Sequence, residues 1–173
     1  SPLIPDSAML DGVREYLRLD YAHDASGLDA ILLAAINQAE NCTGQILIQR
    51  EARQMVSAGS DWQILSAFPV VSVQSVTGIV AEGARFALSP DVYVFEHGFD
   101  GTARLLGNQP GIAGRVEVVV IAGLAASWSA LPEALRLGIH RIAAHSFEQR
   151  DGSGTLPESA LALLKPWRRI RLK

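Results

Sequence analysis

A single cysteine, Cys42, among 173 residues excludes any intrachain disulfide. No apolar stretch is long enough to cross a bilayer. The longest, Val116 to Ala126, is interrupted by Glu117 and Gly123. The first residues, Ser1-Pro2-Leu3-Ile4-Pro5, lack both a basic region and an apolar run, so no signal peptide is expected and no membrane partner. Walker, Rossmann and nucleophile-elbow signatures are all missing. Gly152-Ser153-Gly154 has neither a following lysine nor a preceding strand and suits a linker. The four histidines, His23, His97, His140 and His145, include no pair four residues apart. His140 and His145 diverge by about 140° around a helix, so no metal site or other cofactor is expected. The acids Glu40, Glu51, Glu82, Glu96, Glu117 and Glu148 are scattered singly, and no spacing marks two of them as an acid–base pair.

What is present is a globular balance, 49% hydrophobic and 19% charged residues. The net charge of −3 hides an asymmetry. Five of the 15 basic residues lie between Lys165 and Lys173, which leaves 10 against 18 acids, or −8, for Ser1 to Leu164. An acidic body repels nucleic acid, and a short basic end attracts an acidic partner.

The periodicity predicts helices, then strands, then helices. Leu10, Val13 and Leu17 mark a helix over Ser7–Leu19, with Ser7 as N-cap. Leu28, Ile31, Leu32, Ala35, Ile36, Ala39 and Cys42 mark a second, opened by Ser26 and Asp29 as a capping box and stopped by Gly44. On that stripe Cys42 reads as a small buried hydrophobe rather than a reactive thiol. Strands are expected at Ile48–Val56, Val70–Val80, Tyr93–Phe95 and Val116–Ile121, with turns at Gly98–Gly101 and Asn108–Gly114. Pro132 at N1 opens a third helix with an inward stripe of Leu135, Ile139, Ile142, Ala143, Ser146 and Phe147. Trp128, just before it, suits a packing role. A last helix starts near Pro157 and ends or kinks at Pro166.

The expected fold is therefore α+β, with helices at both ends bracketing an antiparallel sheet or small barrel. A single domain spans 1–164 (helical 7–45 and 131–164, β region 46–122), and a flexible basic tail spans 165–173. In that tail Trp167, Ile170 and Leu172 recur among Lys165, Pro166, Arg168, Arg169, Arg171 and Lys173. Such a mixture suits docking to a protein more than a purely solvated tail or a nucleic-acid contact.

Three segments together carry a resemblance. They are Val13–Asp20 followed by Ala39-Glu40-Asn41-Cys42-Thr43-Gly44-Gln45-Ile46-Leu47-Ile48, then Phe68–Val76, then Leu131–Arg136 continuing through Ala143–Arg150. In order and spacing the chain resembles the head–tail connector, or adaptor, family of long-tailed phages, prophages and gene transfer agents, from about Leu10 to Arg169. It departs at Ser146, where the family often has an aromatic, and at Cys42-Thr43-Gly44-Gln45, where the family often has Tyr-Thr-Gly-Arg. The resemblance implies a non-catalytic virion subunit made in the bacterial cytoplasm. It implies a cyclic ring of about twelve copies on the portal protein. That ring extends the DNA channel and gives a platform to the next neck or tail protein, a stopper, with DNA only as passing cargo. It also implies that Lys165–Lys173 reaches into the portal. Other neck or tail-completion proteins, a stopper or a terminator, are the nearest alternative, and helices bracketing the sheet favour the adaptor. A small enzyme built around Glu148 or His145, or a nucleic-acid-binding module, stand further off.

Overall fold

Asp6, Gly44 and Pro132 set the limits of the main helices, and each limit has a local cause. The structure is a computed structural model that describes residues 2–19, 27–80, 82–107, 114–149 and 155–169. Helix α1 spans Ser7–Leu17. Its N-cap is Asp6, one residue before the expected Ser7, and the Asp6 carboxylate accepts from the Met9 N–H at 2.8 Å. A carboxylate there also meets the positive end of the helix dipole, which a hydroxyl cannot do. The helix ends two residues short of Leu19, because Arg18 turns left-handed (φ 54°) and its N–H goes back to the carbonyls of Arg14 and Glu15.

Helix α2 spans Leu28–Thr43. Gly27 is its N-cap, without a side-chain bond, and Ser26 lies outside the described residues. Gly44 stops it in the left-handed conformation (φ 70°), as expected. The buried face is Leu28, Leu32, Ala35, Ile36, Ala39 and Thr43. Cys42 is only half-buried, a correction to its expected burial. A residue four places beyond Ala39 lies over it, so Thr43 takes the inward place. Its hydroxyl donates to the Ala39 carbonyl at 2.8 Å and so is satisfied within the core.

Helix α3 spans Glu133–Glu148, with Pro132 as extended N-cap rather than first helical residue. Leu135, Gly138, Ile139, Ile142 and Ala143 are buried on it, while Ser146 and Phe147 are half-buried. Helix α4 spans Glu158–Leu164 and buries Ala160 and Leu164. It passes into a 3₁₀ turn over Lys165–Trp167, where Pro166 has no N–H to continue the α-helical ladder. Helix α3 packs on α1, α2 and α4. An isolated parallel bridge, Ile48 to Ala125, closes the helical unit, with the Ala125 N–H donating to Leu47 O at 3.0 Å. That unit comprises residues 2–48 and 125–173, and residues 49–124 form a separate β unit.

The β unit holds β1 Arg50–Ser57, β2 Gln63–Ile64, β3 Val70–Ile79, β4 Arg85–Ala87, β5 Tyr93–His97, β6 Ala103–Gly107 and β7 Arg115–Ala122. They make two open antiparallel sheets, one of order β1-β7-β3-β4 and one of order β2-β6-β5. Strand β7 is central in the larger sheet, with Val118 opposite Gln54 on one side and Val76 on the other. Val116, Val118, Val120 and Ala122 are buried on its inward side and Val119 on the other, which explains the apolar run from Val118 to Ala122. Ile48 lies outside β1 because it makes the helical-unit bridge instead. The expected turn at Gly98–Gly101 is present, with the Gly98 N–H on Thr102 O at 2.8 Å. Residues 108–113 of the other expected turn lie outside the described residues.

Candidate functional site

The basic C-terminal segment is the candidate site, and its first half is fastened to α2. Helix α2 ends with carbonyls that have no partner within the helix. Arg169 supplies one donor, its N–H meeting Thr43 O at 2.7 Å. The Gln45 side-chain amide donates to Trp167 O at 2.8 Å. Trp167 and Arg169 are half-buried, whereas Lys165, Pro166 and Arg168 are exposed. The fold thus brings two exposed cations together with a proline and turns part of the tryptophan inward. Arg169 lies against Gly44 at the negative end of the α2 dipole. Ile170, Arg171, Leu172 and Lys173 lie outside the described residues. Sequence reasoning missed Thr43 and Gln45 as the anchors; the usable signal was the unsatisfied helix end just before Gly44.

A second feature of the helical unit has no counterpart in the sequence reading. A concavity of about 530 Å³ is lined by α1 (Asp11, Gly12, Glu15, Tyr16), by Trp128 and Ser129, and by α3 (Glu133, Arg136, His140). The His140 ring sits between Tyr16 and Trp128, with centroids 5.4 and 5.5 Å away. Its Nε2 is buried and has no hydrogen-bond partner among the described residues. A Cβ on Gly12 would lie 3.3 Å from that nitrogen, so Gly12 seals it. Burial is the main cause that lowers the His140 pKa below 6.5, aided by the Arg136 charge and opposed by Glu133 and Glu15. Arg136 itself donates to Glu133 at 2.6 Å. The neutral imidazole is a packing group between two rings, with its Nε2 turned away from solvent. Glu148 is exposed at the end of α3 and His145 half-buried, and neither lines this concavity. Among the described residues no three His, Cys, Asp or Glu side chains converge as a metal site would need.

The sign of the His140 effect gives a prediction. In the unfolded chain the imidazole titrates near 6.5, and in the folded chain it titrates lower. Between the two values the unfolded chain holds the proton and the folded chain does not, so stability falls as pH drops below 6.5. One proton can change the folding equilibrium by up to about tenfold per pH unit. Urea midpoints between pH 7.5 and 5 should therefore decline more in the wild type than in His140→Phe. Identical declines would show that His140 does not carry the effect.

No protein-family model and no curated protein matches the sequence. Solved structures do. The chain is similar to one in the neck of an empty gene transfer agent particle computed with C6 symmetry, with 30% identity, 95% of this chain and 90% of that chain covered, and a TM-score of 0.74. A chain of the neck of the native particle, computed with C12 symmetry, gives 29% identity, coverage of 100% and 95%, and a TM-score of 0.77. A chain of the virion of the native particle gives 29%, coverage of 95% and 90%, and 0.74. Fold and sequence alike place the protein in the class of structural particle-neck components. It belongs to the family of the gene transfer agent neck chain with which it shares 30% of its residues.

Proposed function

We propose that this protein is a non-catalytic head–tail connector, an adaptor subunit that forms a ring on the portal vertex of a phage-like virion. The ring extends the DNA channel and gives the neck and tail proteins their platform. The observation that carries this reading is the likeness, over nearly the whole chain, to neck structures computed with C6 and C12 symmetry. About twelve copies would match a cyclic portal through a heterologous, closed contact. The −8 charge of Ser1–Leu164 suits a channel wall that DNA must slide past without being held. Portal docking falls to the basic segment from Lys165 onward, through Lys165 and Arg168, the described cations that stand exposed. Assembly takes place in the bacterial cytoplasm, and the assembled protein resides at the head–tail junction.

The test is the native mass of the particle's portal ring after mixing with this chain. Ending the chain at Leu164 would also delete the Trp167 and Arg169 hydrogen bonds to Gln45 and Thr43. The double substitution Lys165→Glu with Arg168→Glu leaves them in place and is the cleaner variant. The wild type should add one ring of copies. The variant should bind at least about tenfold more weakly, a loss of about 1.4 kcal/mol. Failure of the wild type to add any mass would refute the connector role. Equal binding of both would place the docking surface elsewhere, on the helices.

A further inference from the structure

We infer that the outward side of the smaller sheet is the lateral contact between neighbouring copies of this chain. The inference rests on the ring proposed above and names the face that closes it. In an antiparallel sheet with one side in water, outward positions are normally polar. The larger sheet mixes the two on that side, with the ion pairs Glu51–Arg53 and Arg85–Glu117 beside an exposed Met55 and buried Val119 and Ile79. The smaller sheet gathers exposed apolar side chains around one ion pair. Its register sets Ile64 and Glu96 opposite Arg104, and Val94 opposite Leu106. Residues directly opposite share a side, so Ile64, Arg104, Glu96, Val94 and Leu106 lie together. Their neighbours in the strands, Ala103 and Leu105, are buried. Trp62, two residues before Ile64, has the same parity, and the Arg104 guanidinium lies 4.5 Å over its ring.

The exposures are large for such side chains: Ile64 70%, Val94 40% and Trp62 37%. The face is also held in shape before any partner arrives. Arg104 covers Trp62 and at the same time pairs with Glu96, its Nε 2.7 Å from the carboxylate. A preset patch of aromatic, aliphatic and arginine side chains has the composition of an interface core.

The occupant is a second copy, because the related neck chains stand in assemblies computed with C6 and C12 symmetry. In a ring every copy meets two others, through two different surfaces. Each of those surfaces is covered by a neighbour, and an apolar sheet side gains most from being covered.

Lateral contact and portal docking are separable by how the portal ring fills. With the chain added below saturation, cooperative neighbours give portals that are either empty or full. Independent binders give a spread of partly filled portals. Native mass spectrometry of the wild type should show the two extremes. Ile64→Lys and Val94→Lys should convert them to the spread while the portal still takes up copies at higher concentration. Both sites are exposed, so thermal unfolding should be unchanged and will report any variant that fails to fold. If both variants fill as cooperatively as the wild type, this face is not the contact, and the ring reading stands. A spread from the wild type itself would overturn any lateral contact. A wild type that never binds would overturn the ring, and this contact with it.

Discussion

Trp128→Ala is expected to cost the helical unit about 3–5 kcal/mol, the usual range for emptying a buried tryptophan site. Trp128 is only 3% exposed although it sits in the turn that leads to α3. It forms one side of the pair of rings that hold His140, and its carbonyl accepts the Leu131 N–H at 3.1 Å. Alanine keeps that backbone bond and removes the ring. The neighbouring helices cannot collapse into the gap without moving Gly12 of α1, which already lies against His140. His140 would then gain water at a nitrogen that lacks a partner, and its pKa should rise toward the ordinary value. Urea unfolding followed by circular dichroism measures the first effect, and an NMR titration of His140 the second. Trp128→Phe keeps a ring against His140 and should lose less. A loss below about 1 kcal/mol for the alanine variant would mean that the site can close after all.

Gly101→Val should cost the β unit about 2–5 kcal/mol, through two causes that a control separates. Gly101 lies in the β5–β6 turn with φ +83°, a conformation that a β-branched residue resists. A Cβ there would also fall 2.6 Å from the Pro69 Cβ and 3.3 Å from its Cα, and the latter is backbone that cannot swing aside. The same turn anchors the start of β3, since the Val70 N–H donates to Gly101 O at 2.8 Å and His97 Nε2 sits 2.6 Å from Val70 O. Displacing the turn therefore breaks more than one bond. Gly83 has φ +91° with nothing within 4 Å among the described residues, so Gly83→Ala carries backbone strain alone and should cost about 1 kcal/mol. Equal losses at the two positions would show that contact with Pro69 adds nothing.

The helices were legible because their signals are local. The stripes of α2 and α3 repeat within three or four residues, and most of the predicted inward positions are buried. Gly44 could be assigned for the same reason, since the end of a helix depends on one residue's backbone freedom. Choices between adjacent candidates were not legible. Asp6 and Ser7 both make good caps, and the register that buries Met9 and Val13 selected Asp6. Cys42 and Thr43 both border the inward stripe, and only the helix packing put threonine inside. Strands β2, β4 and β6 have two, three and five residues and lacked any pattern strong enough to announce them. Their geometry comes from the strands they pair with.

The candidate site divides in the same way. Its composition, basic with apolar residues interleaved, was plain in the sequence and so was its place at the end of the chain. Which of its residues face solvent was not, because Gln45 and Trp167 meet across 122 positions. The outward apolar side of the smaller sheet was equally hidden, since Ile64, Val94 and Leu106 belong to three strands whose register no single segment encodes. By itself the sequence determined what neighbouring residues decide together: helix faces, stops, charge distribution and the order of α and β regions. Tertiary structure alone decided which residues are brought side by side from afar, because strand pairing and helix-end satisfaction depend on partners that the local chain does not contain.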